Sequence, residues 1–572
     1  MISLASFLRA NLQKNKTIGG HFFMKKKYAW LLALSLVLSM FLAACSGNKE
    51  TADDDKKPAD DAPEVEQVLH FINGDTIPSM DPGMVTDEYG IQFTAAIMEG
   101  LYRLDESGKP TEGIATKHEV SEDGKTWTFT LREDAKWENG EPVTANDFVF
   151  SWRRAVDPNQ GSEYGPYMMG GVIKNATAVN KGEVPVDQLG VKADGDFKLV
   201  VELENATPYF ESLTTFPTFF PLNEKFVTEK GDTYATSADT LLSNGPFKFS
   251  SWTSTAQKWE LVKNETYWDA KTVKLEKMTY VVVKEPQVGV DLYEKGEVDR
   301  AGLSSDLVDQ YATHDDYTVE PDNSVFYIKM NQTRNPALKN VNVRNAIARA
   351  FDKQALVDEI LNNGSIVANG LVPKDFVPTP DGKDFREVSG DLMKYDVEKA
   401  KEFWEKGLAE LGTKEVTIEL LGGDAEVSKM MNQYLANQLS TNLPGLKVTL
   451  KEVPFEQRLE LDTAMDYDMQ FAGWGPDFLD PYTFMNLWLT DGGNNQMGYS
   501  NPEYDKLINE TATTKATDQE ARFDNFLKAE KILFEDAAIA PVYQRAGALL
   551  VSPKVQGVFT NQFGATYEYK WA

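Results

Sequence analysis

Trp137-Glu138-Asn139-Gly140-Glu141-Pro142-Val143-Thr144-Ala145-Asn146-Asp147-Phe148-Val149-Phe150-Ser151-Trp152-Arg153-Arg154 places a helix start inside a strand-rich region, and its reading decides the fold class. Thr144-Ala145-Asn146-Asp147 reads as an N-cap with an acidic first turn, followed by the apolar Phe148, Val149 and Trp152. Trp137, Asp147 and Trp152 then have structural work to do and need touch no ligand. Upstream, Trp127, Phe129 and Leu131 alternate with threonines, the pattern of a half-buried strand. Downstream, Leu199 to Leu203 and Tyr280 to Val283 are β-rich runs bounded by glycine and charge. Val343, Ile347, Ala350 and Phe351 mark a helix, as do Phe523, Phe526, Leu527 and Leu533. Val427, Met430, Met431, Tyr434, Leu435 and Leu439 mark another, followed by Pro444-Gly445 and a strand from Lys447 to Val453. Strands first, then helix-strand units, predict an α/β architecture in unequal lobes. No internal repeat at solenoid periods is present.

At the other extreme, Met24 is followed by Lys25-Lys26-Lys27 and an apolar run from Tyr28 to Ala44. A basic start, an apolar stretch and small residues before a cut make residues 1–44 a secretory signal peptide, with Met24 the expected true start. The run is short for a spanning helix, which needs roughly 20 apolar residues. Leu42-Ala43-Ala44-Cys45 resembles the bacterial lipobox, and Cys45 is the single cysteine of 572 residues. The resemblance implies a diacylglycerol on the Cys45 thiol and an extracytoplasmic, lipid-anchored protein; a plain signal peptide or N-terminal anchor is the alternative. Residues 45–66 are charged, Ala/Pro-bearing and nearly free of large apolar side chains, the composition of a disordered tether.

The leader carries six basic and no acidic residues, so processing moves the formal charge from −30 to −36. Such a surface repels nucleic acid and anionic headgroups. Length suggests three or so domains of about 150 residues. Eleven Trp, 31 Phe and 22 Tyr suffice for a large core and for stacking pockets. With Cys45 acylated, no disulfide, thiol nucleophile or Cys-rich metal site is available. His70, His118 and His314 are far apart, so no metal and no cofactor is expected. G-x-S-x-G, H-E-x-x-H, Walker A and G-x-G-x-x-G signatures are absent, and nothing raises an extracytoplasmic hydrolase, the rival class.

Residues 137–154 resemble the signature of the peptide-binding subunits of ABC importers. Ser79-Met80-Asp81-Pro82, Glu99-Gly100-Leu101, Asn244-Gly245-Pro246-Phe247, Tyr267-Trp268, Gly296-Glu297-Val298-Asp299 and Val343-Arg344-Asn345-Ala346-Ile347 carry the likeness along the body. It is nearest to oligopeptide-binding proteins in their Gram-positive lipoprotein form. The resemblance implies a periplasmic-binding-protein-like, hinge-closing fold of three lobes: a first lobe from 67–90, 219–323 and 545–572, an inserted second lobe at 91–218, and a third at 324–544. It also implies a monomeric non-enzyme on the outer face of the cell membrane, partnered by an oligopeptide, a permease and its ATPase subunits. A receptor for a peptide pheromone, a dipeptide or a metal chelate is the alternative within the family.

Ala472-Gly473-Trp474-Gly475-Pro476-Asp477 is the better site candidate. Glycines flanking Trp474 at a strand end let a ligand backbone approach closely. Asp477 either caps the turn or, as the resemblance implies, holds a peptide's α-ammonium. Tyr327 matches a family tyrosine near the ligand, with a core role equally open. Tyr164 and Tyr167, in a Gly/Pro-bearing loop, are candidates for covering the peptide, and Ile77, on the first strand, for main-chain pairing. Phe471, Leu361 and Asp462 stand where enterobacterial relatives carry cations for short peptides' carboxylates. The expectation is a ligand C-terminus that meets no cation at these positions and reaches water or a wide part of the cavity.

Overall fold

The computed structural model describes residues 67–572, so Cys45, the leader and the tether lie outside the described residues. β1 (Val68–Asn73) turns Leu69 and Phe71 inward. α1 (Glu88–Ile97) starts at Asp87, whose carboxylate accepts from the Tyr89 and Gly90 N–H groups. β2 (Ala115–Val120), β3 (Thr126–Leu131), β4 (Val191–Ala193) and β5 (Lys198–Glu202) form an antiparallel sheet of order β2-β3-β5-β4. Phe129 and Leu131 of β3 are buried and the intervening threonines are not, as the alternation predicts.

α2 (Ala145–Val156) begins with the expected cap: Thr144 N–H donates to Asp147 Oδ2 at 2.8 Å. Trp137 and Trp152 are about 1 % and 0 % exposed, and the Trp152 indole donates to the Phe219 carbonyl at 2.9 Å. The signature is therefore a packing element. α3 (Tyr164–Met169) crosses α2 where Gly165 sits so close that a Cβ there would lie 1.7 Å from the Ala155 carbonyl oxygen. Tyr164 and Tyr167 thus stand on a short helix, not in a loop.

The chain returns as β6 (Phe247–Ser251), β7 (Lys258–Lys263) and β8 (Lys277–Val282), giving the sheet order β1-β8-β7-β6. β1 and β8 run parallel, Val68 opposite Lys277. A parallel pair cannot close through a tight turn; here the connection spans residues 74–276 and contains the whole second sheet.

β9 (Arg300–Leu303) and β10 (Tyr317–Met330) open the largest sheet. α4 (Val341–Arg349) and α5 (Val397–Leu411) follow, α4 stopping short of Ala350 and Phe351. Then come β11 (Val416–Gly423), α6 (Glu426–Asn442), β12 (Leu446–Val453), α7 (Phe455–Thr463), β13 (Met469–Trp474), α8 (Gln519–Glu535) and β14 (Ile539–Val551). The order is β9-β14-β10-β13-β11-β12, with Ile366–Val367 added against β14.

One hydrophobic core gathers residues from Leu69 to Tyr280, and a second residues from Val325 to Tyr543. β10 and β14 are paired from Tyr317–Leu550 to Lys329–Ile539 and supply buried residues to the second core. Their register breaks between Pro321 and Val325. Such a bulge bends a strand locally and leaves residues unpaired.

Ile77 needs a correction. β1 ends at Asn73, where the Asn73 amide donates to the Asp75 carbonyl at 2.6 Å and turns the chain. Ile77 lies beyond that turn, wholly buried in the first core. Among the described residues no helix is long and apolar enough to cross a membrane.

Candidate functional site

β13 makes the site by leaving one of its edges open. On one side it pairs with β10 along its whole length, from Met469–Met330 to Trp474–Val325. On the other, β11 pairs only with Met469 and Gln470. Ala472, Gly473 and Trp474 therefore present an unoccupied strand edge, and they line a cavity with Gly475, Pro476 and Asp477. The centre of a water molecule can occupy about 230 Å3 of it. The two glycines are set by packing first. A Cβ on Gly473 would lie 2.7 Å from the Phe326 ring, and one on Gly475 would lie 3.0 Å from Ser324 Oγ.

Asp477 is 4 % exposed at one end of this edge. Its N–H donates to Thr483 Oγ1 at 3.0 Å, while its Oδ2 has no hydrogen-bond partner among the described residues. Burial pushes its carboxyl up to about 8, and the neighbouring Tyr167 and Tyr164 hydroxyls oppose the shift. Aromatic rings wall it in. Tyr164 stacks on Trp474 at 6.2 Å and 19°, and Tyr167 meets Trp474 edge-on at 5.8 Å. Tyr164 lines the cavity; Tyr167 backs it, its hydroxyl donating to the Thr483 carbonyl at 3.3 Å. Tyr327 also lines the cavity and packs edge-on against Trp488 at 5.4 Å. The indole N–H groups of Trp474 and Trp488 are buried without a partner among the described residues. Buried polar atoms are normally paired, so these three point to a polar ligand.

The far wall is charged. Phe471 and Leu361 are core residues, as their type requires. Cations arrive instead from other elements: Lys329 of β10, Arg458 of α7 and Arg545 of β14 all line the cavity. Lys329 Nζ donates to Asp462 Oδ1 at 2.5 Å. Arg545 joins Asp322 and Glu88, each at 2.9 Å, beside the break in β10. Arg458 lies 5.1 Å over the Phe455 ring and has no ion-pair partner among the described residues. Burial draws its guanidinium below the ordinary value, with Asp462 opposing. Gln470, its amide turned to satisfy both neighbours, donates to Asp462 and accepts from Arg458 Nη1, each at 2.8 Å.

Contacts span the cavity mouth. Glu163 accepts from Thr463 Oγ1 at 3.0 Å and from Gln496 Nε2 at 3.3 Å. Outside the cavity lining, Lys284 pairs with both Asp75 and Asp424, at 2.9 and 2.7 Å. Ile77 does not line the cavity. The overlooked residues had a signal: Phe455, Arg458, Leu459 and Asp462 recur at three- and four-residue spacing, one face of a helix. Among the described residues no group of three or more His, Cys, Asp or Glu is placed to hold a metal ion.

Comparison with known proteins gives a consistent picture. A family model described as bacterial extracellular solute-binding proteins, family 5 middle, matches residues 109–496. A dipeptide-binding protein of Lactococcus lactis subsp. cremoris (strain MG1363) is 34% identical over 563 residues, covering 96% of this chain and 99% of its own. The solved structure of Listeria monocytogenes OppA bound to peptide superposes with a TM-score of 0.86 at 44% identity, covering 89% of this chain and 99% of its own. That of the pheromone receptor PrgZ superposes at 0.85 and 36%, with the same coverage.

Proposed function

Because the chain belongs to the bacterial extracellular solute-binding proteins of family 5, we propose that it binds oligopeptides outside the cytoplasm and delivers them to an ABC permease without changing them covalently. One observation carries the reading: a buried carboxylate with an oxygen unpartnered among the described residues, walled by aromatics, at the end of an open strand edge. The peptide α-ammonium pairs with Asp477, since a buried charge needs a counter-charge. Its backbone adds to β13 at Ala472 to Trp474, giving affinity that does not depend on side chains. Tyr164 and Tyr167 hold Trp474 and Asp477 in place, and Tyr327 and Trp488 form the facing wall. Side chains enter hydrated space, where bridging waters tolerate variety.

The lobes are 67–90, 219–323 and 545–572 for the first, 91–218 for the second and 324–544 for the third. They close about β10 and β14, whose broken register at Pro321 supplies the bend. Cys45 carries the lipid anchor on the outer face of a Gram-positive membrane, and the 45–66 tether lets the monomeric body reach the permease and its ATPase subunits. Likeness to a pheromone receptor makes a signalling peptide the second reading. Native mass spectrometry of the purified protein tests the class. Co-purified peptides are the expected ligands; a sugar or metal chelate, with no peptide bound on addition, overturns it.

A further inference from the structure

The first and third lobes also meet on a seam outside the peptide cavity, and one cation bridges it. Lys284, two residues beyond β8, pairs with Asp75 Oδ2 at 2.9 Å and with Asp424 Oδ1 at 2.7 Å. Asp75 lies just after β1, in the same lobe as Lys284; Asp424 follows β11, in the third lobe. The Lys284, Asp75 and Asp424 side chains are 24 %, 13 % and 28 % exposed, so water screens the pairs only in part. Two further contacts cross the seam beside them. The Phe455 N–H of α7 donates to Asp75 Oδ2 at 3.4 Å, and the Phe455 ring meets Tyr89 edge-on at 5.3 Å. None of the three charged residues lines the peptide cavity.

These contacts go with one arrangement of the lobes. The Escherichia coli murein tripeptide-binding protein MppA superposes on the chain with a TM-score of 0.78, and an unliganded open form of MppA with 0.56, each at 28% identity. The arrangement described here is therefore unlike that open form. Opening about β10 and β14 carries Asp424 away with the third lobe, while Lys284 keeps Asp75 in the first. A contact made in one state alone shifts the equilibrium toward that state by its own free energy. Lys284 has a second task. Both carboxylates approach the same nitrogen, so without it closure brings two like charges together. We propose that Lys284 is a positioning residue for peptide retention: on closure it takes Asp424 across the seam, holds the lobes shut and slows peptide release. The inference rests on the peptide-binding and lobe readings above and adds the group that sets how long a bound peptide stays.

Stopped-flow displacement tests it, with an alanine hexapeptide extended by a C-terminal lysine that carries a fluorophore. Asp424→Asn keeps the side chain's shape and removes the charge across the seam. Release should quicken about threefold to tenfold, between the effects of an exposed ion pair and a buried charge-assisted hydrogen bond, with association within about twofold of wild type. Lys284→Met leaves two acids facing each other and should quicken release by about tenfold or more. Adding Asp75→Asn and Asp424→Asn to it removes that repulsion and should return release to the Asp424→Asn rate. Raising salt from about 0.05 to 0.5 M should narrow the gap between wild type and Asp424→Asn. Ligand-free melts of these two should coincide, because the open form lacks the contact. Release from Asp424→Asn at the wild-type rate or slower, or a lower ligand-free melting temperature with release unchanged, overturns the proposal and leaves peptide binding standing. If neither the probe nor the mixed peptides of a casein digest bind wild type, the peptide-binding reading falls, and this inference with it.

Discussion

Asp477 should make peptide binding depend on pH in a way that ordinary carboxylate chemistry does not. Burial holds its carboxyl at about 8 when no cation sits beside it. The α-amine of a peptide titrates at about 7.7–8.0. Both partners are then charged in about a quarter of encounters at pH 8, and in about one in a hundred at pH 6. Affinity for a peptide with neutral side chains should fall about 25-fold from pH 8 to pH 6, about 1.9 kcal/mol. It should fall again above about pH 8 as the amine loses its charge, about threefold by pH 9. Calorimetry across pH 5.5–9.5, in buffers of different ionisation enthalpy, measures both the curve and the proton released near neutrality. Asp477→Asn should lower affinity and abolish the acidic limb. An affinity that is flat or rising from pH 8 down to pH 6 refutes the argument.

The same shift bears on stability. Asp477 is raised to about 8, so the folded state holds a proton that the unfolded chain releases near 3.8. Its contribution is present below the unfolded value and is lost as pH rises through about 8. Thermal melts should therefore show peptide-induced stabilisation growing from pH 6 to pH 8. Tyr164→Ala removes the ring stacked on Trp474; losing the pair should cost about 0.5–1.5 kcal/mol of stability beyond lost area, read by chemical denaturation, and should weaken peptide binding, read by calorimetry. Trp152→Ala empties a fully buried site that does not line the cavity; chemical denaturation should show a loss of about 3–5 kcal/mol, with affinity unchanged at temperatures where the variant is folded. Cys45→Ser should release the protein to the medium or leave it as precursor, and fatty-acid labelling should vanish.

Local elements were legible because their causes are local. Thr144 and Asp147 three residues apart specify a capping box, and the threonines around Phe129 specify a strand face; both formed as read. Ile77 was misplaced because the turn at Asn73 to Asp75 uses side-chain hydrogen bonds that periodicity does not register. Gly165 and Pro166 predict a loop around Tyr164 and Tyr167, and the chain forms a short helix. There the glycine permits contact with the Ala155 carbonyl instead. The charged wall is a different case. Substitutions at Phe471, Leu361 and Asp462 were visible, but nothing in one sequence shows that β10, α7 and β14 bring Lys329, Arg458 and Arg545 to one surface. Such long-range convergence is topology, which local pattern does not encode.

Everything in the functional account turns on a charged peptide N-terminus meeting Asp477. Calorimetry at pH 7.5 of one peptide with a free and with an acetylated N-terminus measures that contact without altering the protein. The acetylated peptide meets a carboxyl that keeps its proton, so the loss is that of a charge-assisted hydrogen bond, about 1.5–3 kcal/mol, and acetylation should weaken binding by about 1 to 2 decades. Equal affinity for the two forms would contradict the account.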